Sequence, residues 1–306
     1  MSSIAAALLP ILALILLGLI LKYTQFIPEM SWSGMERLTY YLLFPALLIH
    51  TLSRQNLAGI PWLEILSVVV IVLLLSSLLL IVWYGFFSSI AGTTFTSIFQ
   101  GGVRFNTYIA LALAQAFYGD QGLAMGAVAA GFMIVLINLL CISVLSKWGK
   151  PKQGDTVGFI KEILANPLII ACLIGWTLSL TGIGLPGPAE ETLEIIGRAA
   201  LPFGLLAVGA ALKPRSIKGH LNPALIASLV QFAFKPLATA ILISLTGLSG
   251  IAAGVLIIAF MTPTAPSAYI LARQLGGDAE TMASIITLQT LLAFLVMPTI
   301  AYLLLG

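Results

Sequence analysis

Charge is scarce in this chain. Asp, Glu, Lys and Arg together make up 8% of its 306 residues, where a soluble domain of ordinary composition carries roughly a quarter. A water-facing surface of this length cannot be built from so few ionised groups, which excludes the soluble globular classes. Cysteine and histidine are scarcer still, with two of each. Cys141 and Cys172 stand inside apolar runs, without the paired spacing of a disulfide framework or local His and acidic ligands, so both read as packing residues. The chain also lacks a Gly-x-Ser-x-Gly elbow, a His-Glu-x-x-His zinc motif and a Walker phosphate loop, which leaves no basis for an enzyme. The formal charge of +3 is no sign of nucleic-acid binding, because the basic residues gather in a few loops between apolar runs, where they act as topology signals.

What is abundant is apolar sequence. Hydrophobic residues make up 60% of the chain, and the mean hydropathy is +1.10. At about 20 residues per membrane-spanning helix, there is room for ten spans and no sizeable soluble domain. Apolar runs fall at 2–22, 35–53, 62–84, 94–118, 121–146, 160–180, 192–212, 221–245, 250–274 and 279–304. The first has no basic n-region and outlasts a signal-peptide core, so it reads as a retained helix. Basic residues fall on alternate connections: Lys22 and Arg37 flank the first, Lys147, Lys150, Lys152 and Lys161 lie in or beside the fifth, Lys213, Arg215 and Lys218 in the seventh, and Arg273 in the ninth. The other side carries Arg54 with Asp120, Glu190, Glu191 and Glu194. The positive-inside rule then places both termini on the extracytoplasmic side of a multi-pass protein of the cell membrane.

Pro10 and Pro167, Gly18 and Gly175, Pro45 and Pro202, Asn106 and Pro263, and Met125 and Met282 are each 157 positions apart. A single offset without insertions marks a duplicated unit, residues 1–148 and 160–306, joined by a cytoplasmic linker at 149–159. Five crossings per unit force the second copy to enter from the opposite face, so the repeats are inverted. The expected fold class is an all-α integral membrane protein of ten transmembrane helices in two inverted five-helix repeats.

Two runs are interrupted at matching places, by Arg104-Phe105-Asn106-Thr107-Tyr108 in the fourth and Thr262-Pro263-Thr264-Ala265-Pro266 in the ninth. In lipid, freed backbone groups are tolerated only where protein buries them or a wet cavity meets them, and matched interruptions point to a transport site. Gly101 and Gly102 are expected to weaken the helix before the first break. Asn106 and Thr107 suit the cap of the half-helix that follows, whose free N–H groups favour an anion. Pro263 and Pro266 remove backbone donors at the second break, leaving carbonyl and hydroxyl groups of Met261, Thr262 and Thr264 near the same depth.

Arg104 and Lys235 are the basic residues deepest in the spans. A charge in the bilayer core costs roughly 2.5–3.5 kcal/mol on insertion scales, so each is expected to face a cavity or a partner, and a cationic interior favours an anionic substrate. The candidate substrate-binding residues are Arg104, Asn106, Thr107, Tyr108, Thr262, Pro263, Thr264 and Lys235. Gln100, Gln115, Asn138, Gln231 and Gln289 are candidates for ion coupling or polar support, with hydrogen bonding between helices as their plainer role. Glu194 and Arg198, four apart, read as a helix-face ion pair, and His50 at a span end reads as interfacial.

In order and spacing these motifs resemble the auxin efflux carrier family, which includes plant auxin exporters and bacterial malate-permease-like carriers. The resemblance covers essentially the whole chain. It runs through Pro10 with Leu17-Gly18, Leu43-Phe44-Pro45-Ala46-Leu47-Leu48 and Asn106-Thr107-Tyr108 in the first half. In the second it runs through Asn166-Pro167, Leu185-Pro186, Ala200-Leu201-Pro202-Phe203-Gly204-Leu205-Leu206, Val208-Gly209-Ala210 and the residues of the second break. It implies crossed, discontinuous helices 4 and 9, a scaffold and dimer-forming part from helices 1, 2, 6 and 7, a transport part from helices 3–5 and 8–10, and elevator-type alternating access. Plant members read Asn-Pro-Asn-Thr-Tyr at the first crossover. Here Arg104 and Phe105 replace its start, which favours a small carboxylate over auxin itself. The implied function is secondary active transport of small organic anions, dicarboxylic or auxin-like, by a homodimer in the lipid bilayer. No cofactor or metal is implied. Sodium and the proton both stay open as coupling ion, since no acidic pair lies within the spans. An anion channel or a membrane sensor on the same fold is the competing expectation.

Overall fold

A computed structural model describes residues 2–54, 60–150 and 166–305, with side chains from Ala6 onward. Most of the expected linker, including Lys152, and Lys161 beyond it lie outside the described residues. All regular structure among the described residues is helical.

The chain opens with α1 (Ser2–Tyr23), an apolar helix whose Lys22 pairs with Glu29 at 3.2 Å. Glu29 begins α2 (Glu29–Leu38), which runs through a π-turn (Thr39–Leu43) into α3 (Phe44–Ser53). A second π-turn (Val230–Phe234) joins α10 (Leu221–Leu229) to α11 (Lys235–Thr246). Each wide turn stands just before a proline, Pro45 or Pro236. Proline has no N–H to donate and its ring meets the carbonyl four residues back, and one extra residue in the preceding turn relieves both problems without ending the helix.

Helix α4 (Trp62–Phe87) buries Val68, Val69, Val72, Leu73, Ser76 and Leu80, while Leu74, Leu75, Leu78 and Leu79 are exposed. A soluble protein would not leave so long an apolar face to water. Against lipid tails that face is the expected one. Then follow α5 (Gly92–Val103) and α6 (Thr107–Trp148), α7 (Pro167–Thr181), α8 (Gly187–Arg198), α9 (Ala200–Ala211) and a 3₁₀ turn at Pro214–Ile217. After α10 and α11 come α12 (Gly250–Met261), α13 (Ser267–Gln274) and α14 (Ala279–Leu305).

Six helical stretches among the described residues are long and apolar enough to cross a membrane. One of them, Gly92–Trp148, has 57 residues, and a straight helix of that length would measure about 85 Å, nearly three hydrocarbon cores of about 30 Å. It folds back instead. Gly119 takes φ 62°, ψ −150°, a conformation open essentially to glycine alone, and a Cβ placed on Gly126 would lie 3.0 Å from Leu111 Cδ2. Residues 15 apart in one straight helix would be over 20 Å apart, so the two limbs of α6 run alongside each other. Gly276, 157 positions beyond Gly119, is also left-handed, with φ 70°.

Side-chain packing falls into groups. Helices α4, α5, the second limb of α6, α10, α12 and the start of α14 share one apolar core around Phe95, Phe99, Met133, Leu256, Phe260 and Ile285. Helices α3 and α7 share another around Phe44, Leu48, Leu52, Leu168 and Cys172. There Gly175 brings α7 so close that an added Cβ would meet Leu52 Cβ at 2.7 Å. Helices α1 and α9 touch at backbone level, since a Cβ on Gly209 would lie 1.8 Å from the Ile15 carbonyl oxygen. Between these groups lies a third cluster with Leu8, Ile15, Leu113, Val208, Ile258, Met261 and Met297.

Candidate functional site at the two helix breaks

Helix α5 ends at Val103, and the chain continues extended through Arg104 (φ −70°, ψ 162°) and Asn106 (φ −95°, ψ 101°) before α6 begins at Thr107. Asn106 caps α6 as expected: its Oδ1 accepts from the N–H groups of Tyr108 (3.1 Å) and Ile109 (3.2 Å). Gly101 and Gly102 do not open the helix. They lie in its last turn, and a Cβ on either would collide, at 2.6 Å with Ile285 and at 2.8 Å with Leu80 respectively. Their role is close approach of neighbouring helices, and the break starts after them.

At the second break, α12 ends at Met261 and Thr262 turns extended (φ −78°, ψ 151°). The two breaks touch. The Asn106 N–H donates to Thr262 Oγ1 at 3.3 Å, and the Thr264 hydroxyl donates to the Gly101 carbonyl at 2.9 Å. Gln289 of α14 serves both breaks, donating to the Gly101 carbonyl at 2.8 Å and accepting from the Thr264 N–H at 2.9 Å. Gln231 donates to the Thr262 carbonyl and accepts from Lys235 Nζ at 2.8 Å. Lys235, fully buried, also donates to the carbonyls of Val103 (3.2 Å) and Arg104 (3.1 Å). These side chains satisfy carbonyls that a helix end leaves unpaired.

Arg104 is 9% exposed, and its Nη2 donates to Asn138 Oδ1 at 2.7 Å across the folded-back limb of α6. The nearest-neighbour chemistry is therefore two buried cations held by neutral oxygens. Among the described residues neither Arg104 nor Lys235 is in a salt bridge. Arg104 Nε, Asn106 Nδ2, both side-chain polar atoms of Gln100 and the Ser284 hydroxyl are buried without a hydrogen-bond partner in the protein, a condition that native interiors rarely leave unexplained.

The structure thus brings together Arg104, Asn106, Thr262, Thr264, Lys235, Asn138, Gln231 and Gln289. The side chains of Thr107 and Tyr108 take no part in the bonds joining the breaks. The Tyr108 ring stacks on Phe44 with centroids 4.5 Å apart, and a Cβ on Gly204 would lie 3.0 Å from both rings, so Tyr108 seals α6 against α3 and α9. Gln115 lies elsewhere, in a cavity of about 710 Å³ lined also by His50, Arg54, Asp120, Glu194 and Arg198, with Leu14, Ala112 and Leu205. In that cavity Glu194 pairs with Arg198 and stands 4.0 Å from His50, so His50 is less solvated than its position at a span end implies.

One tie escaped the sequence reading. Asp278, just before α14, accepts from the Thr281 hydroxyl (2.6 Å) and N–H (3.0 Å) and from the Thr94 hydroxyl (2.9 Å). Its backbone carbonyl accepts from the Ser97 hydroxyl at 2.7 Å. This binds the start of α5 to the start of α14. Burial raises the carboxyl pKa, but the Thr281 and Thr94 hydrogen bonds and the field of His220 outweigh it and leave it below the usual carboxylate range. An Asp three residues before Thr at the edge of an apolar run was the available signal.

Residues 156–301 match a family model described as a membrane transport protein. A protein of Methanothermobacter thermautotrophicus described as an uncharacterized transporter is 24% identical over 291 residues, 95% of both chains. A second uncharacterized transporter, from Methanocaldococcus jannaschii, is 23% identical over 202 residues, 65% of both chains. Over these stretches the chain is similar to membrane transport proteins, in line with the family resemblance carried by its motifs. These likenesses, together with six helical stretches long and apolar enough to cross a membrane among the described residues, support a multi-pass membrane transporter, and a bilayer setting accounts for the apolar outer face of α4.

Proposed function

We propose that the protein is a secondary active transporter of small organic anions, with the substrate carboxylate recognised where the two breaks meet. The observation that carries this reading is the pair of buried cations, Arg104 and Lys235, without a carboxylate partner, beside unpaired donors of Arg104 and Asn106. An anion would supply the missing acceptor and the missing negative charge together. Arg104 and the N-terminus of α6 attract the carboxylate, and Asn106, Thr107, Thr262, Pro263 and Thr264 set the backbone that orients it. Lys235 adds charge without presenting its ammonium, and Tyr108 closes the path toward the cavity. Gln100 offers further free polar atoms, while Asn138, Gln231 and Gln289 support the site.

The wider architecture belongs to the same proposal. Ten spans in two inverted repeats, 1–148 and 160–306, with helices 4 and 9 crossing at the breaks, are supported by the left-handed glycines Gly119 and Gly276 at the repeat offset. The close pairing of α1 with α9 and of α3 with α7 supports a scaffold, and the mixed cluster of Leu8, Ile15, Leu113, Ile258 and Met297 supplies the apolar seam along which a transport part would move in elevator-type alternating access. The cavity between them lies on the side of Arg54, Asp120 and Glu194, which the charge rule makes extracytoplasmic. A homodimer would form through the scaffold.

The test is counterflow in proteoliposomes preloaded with malate or an indole carboxylate. Internal substrate should accelerate uptake of the labelled compound, which a simple pore does not do. Asn106→Ala and Pro263→Ala should each cut the exchange about tenfold, equal to about 1.4 kcal/mol, with insertion intact. Unchanged exchange in both variants would sink the site assignment.

A further inference from the structure

Lys235 Nζ has three oxygen neighbours, the carbonyls of Val103 and Arg104 and the side-chain oxygen of Gln231, at 2.8–3.2 Å. Three acceptors around one nitrogen need three N–H groups, which only the protonated amine has. Two of these oxygens belong to the C-terminal end of α5, the negative end of a helix dipole. The third belongs to Gln231, whose amide donates to the Thr262 carbonyl at the end of α12. The Phe260 ring lies 5.6 Å from Nζ and turns an aromatic surface to the charge. One cation therefore ties together the carbonyl ends of both broken helices, in a shell of neutral oxygens. Unwound helix ends of this type are what transporters use to coordinate small coupling cations.

We propose that Lys235 is a tethered occupant of a monovalent-cation site formed by the Val103 and Arg104 carbonyls and Gln231, so that the broken helices are held together without a diffusible cation at this position. This goes beyond the anion site and does not depend on it. The ammonium supplies the charge that a bound sodium ion would supply, and because it is covalently attached it cannot be exchanged. A sodium gradient then has no purchase through this site.

The experiment is thermal unfolding of the purified full-length protein in detergent, in sodium, potassium and choline chloride at equal ionic strength. The wild type should melt at the same temperature in all three. Lys235→Ala should melt lower in choline chloride and regain several degrees, saturably, on addition of sodium or methylammonium. Lys235→Met, which fills the space with an uncharged stem, should be destabilised and should not respond. Saturable stabilisation of the wild type by sodium would overturn the proposal, as would a folded Lys235→Ala indifferent to both cations or a Lys235→Met that responds as Lys235→Ala does. If Lys235→Ala does not survive extraction, recovery of monodisperse protein only with methylammonium present supports the proposal, and failure with every cation overturns it. No substrate enters these measurements, so their failure is distinct from failure of the counterflow assay.

Discussion

A glycine pair beside a polar break reads as a weak point, yet Gly101 and Gly102 stay helical because Ile285, Ala227 and Leu80 press against their bare Cα atoms. Local propensity opposed the helix and packing overrode it. Asn106 shows the opposite relation. Its cap is a local interaction with the next two N–H groups, so residue type alone announced it. Asp278 lies between these cases, with a cap visible in sequence and a partner on α5 that only the fold supplies. Since its carboxyl pKa is depressed in the folded state, its stabilisation is complete above the ordinary unfolded value of about 3.9 and fades as pH falls through the lower folded value. Asp278→Asn should therefore lower the melting temperature at neutral pH and remove part of the acid-induced loss, as thermal unfolding across an acidic pH series would show.

Among the elements, the broken helices were legible because their interruptions are written in proline, asparagine and charge inside long apolar runs. The turn within α6 was legible only as Gly119-Asp120 between two runs, and its backbone geometry was not. A Cβ on Gly119 meets nothing within 4 Å, so Gly119→Ala isolates the backbone term and should cost about 1–3 kcal/mol. Gly276→Ala should cost more, because its Cβ would also fall 2.0 Å from the Lys150 carbonyl oxygen. Melting temperatures of the two variants in detergent check the order, and an Ala at Gly119 without effect would mean that the turn is not fixed there. The π-turns before Pro45 and Pro236 had no sequence signal beyond the prolines themselves, since a proline in an apolar run is equally consistent with a kink.

For the whole molecule, orientation in the bilayer rests on the alternation of basic and acidic connections. Cys141 and Cys172 are both buried, so an introduced thiol can be read against a low background. Ile183→Cys, at a position 76% exposed between α7 and α8, should react with an impermeant maleimide on intact cells. Ser216→Cys, in the basic turn after α9, should react only after permeabilisation. The reverse pattern would invert the proposed topology.

The sequence by itself determined the solvent and the periodic layout: too little charge to face water, apolar runs of spanning length, basic loops in alternation, and two matched interruptions. Those follow from transfer energies and backbone chemistry, which each segment carries alone. Only the tertiary structure decided what the interruptions do to each other. Thr262 meets Asn106, Gln289 and Thr264 meet Gly101, and Lys235 meets the end of α5, across separations of more than 100 residues. Pairings of that kind depend on which helices share a core, and no local pattern encodes them.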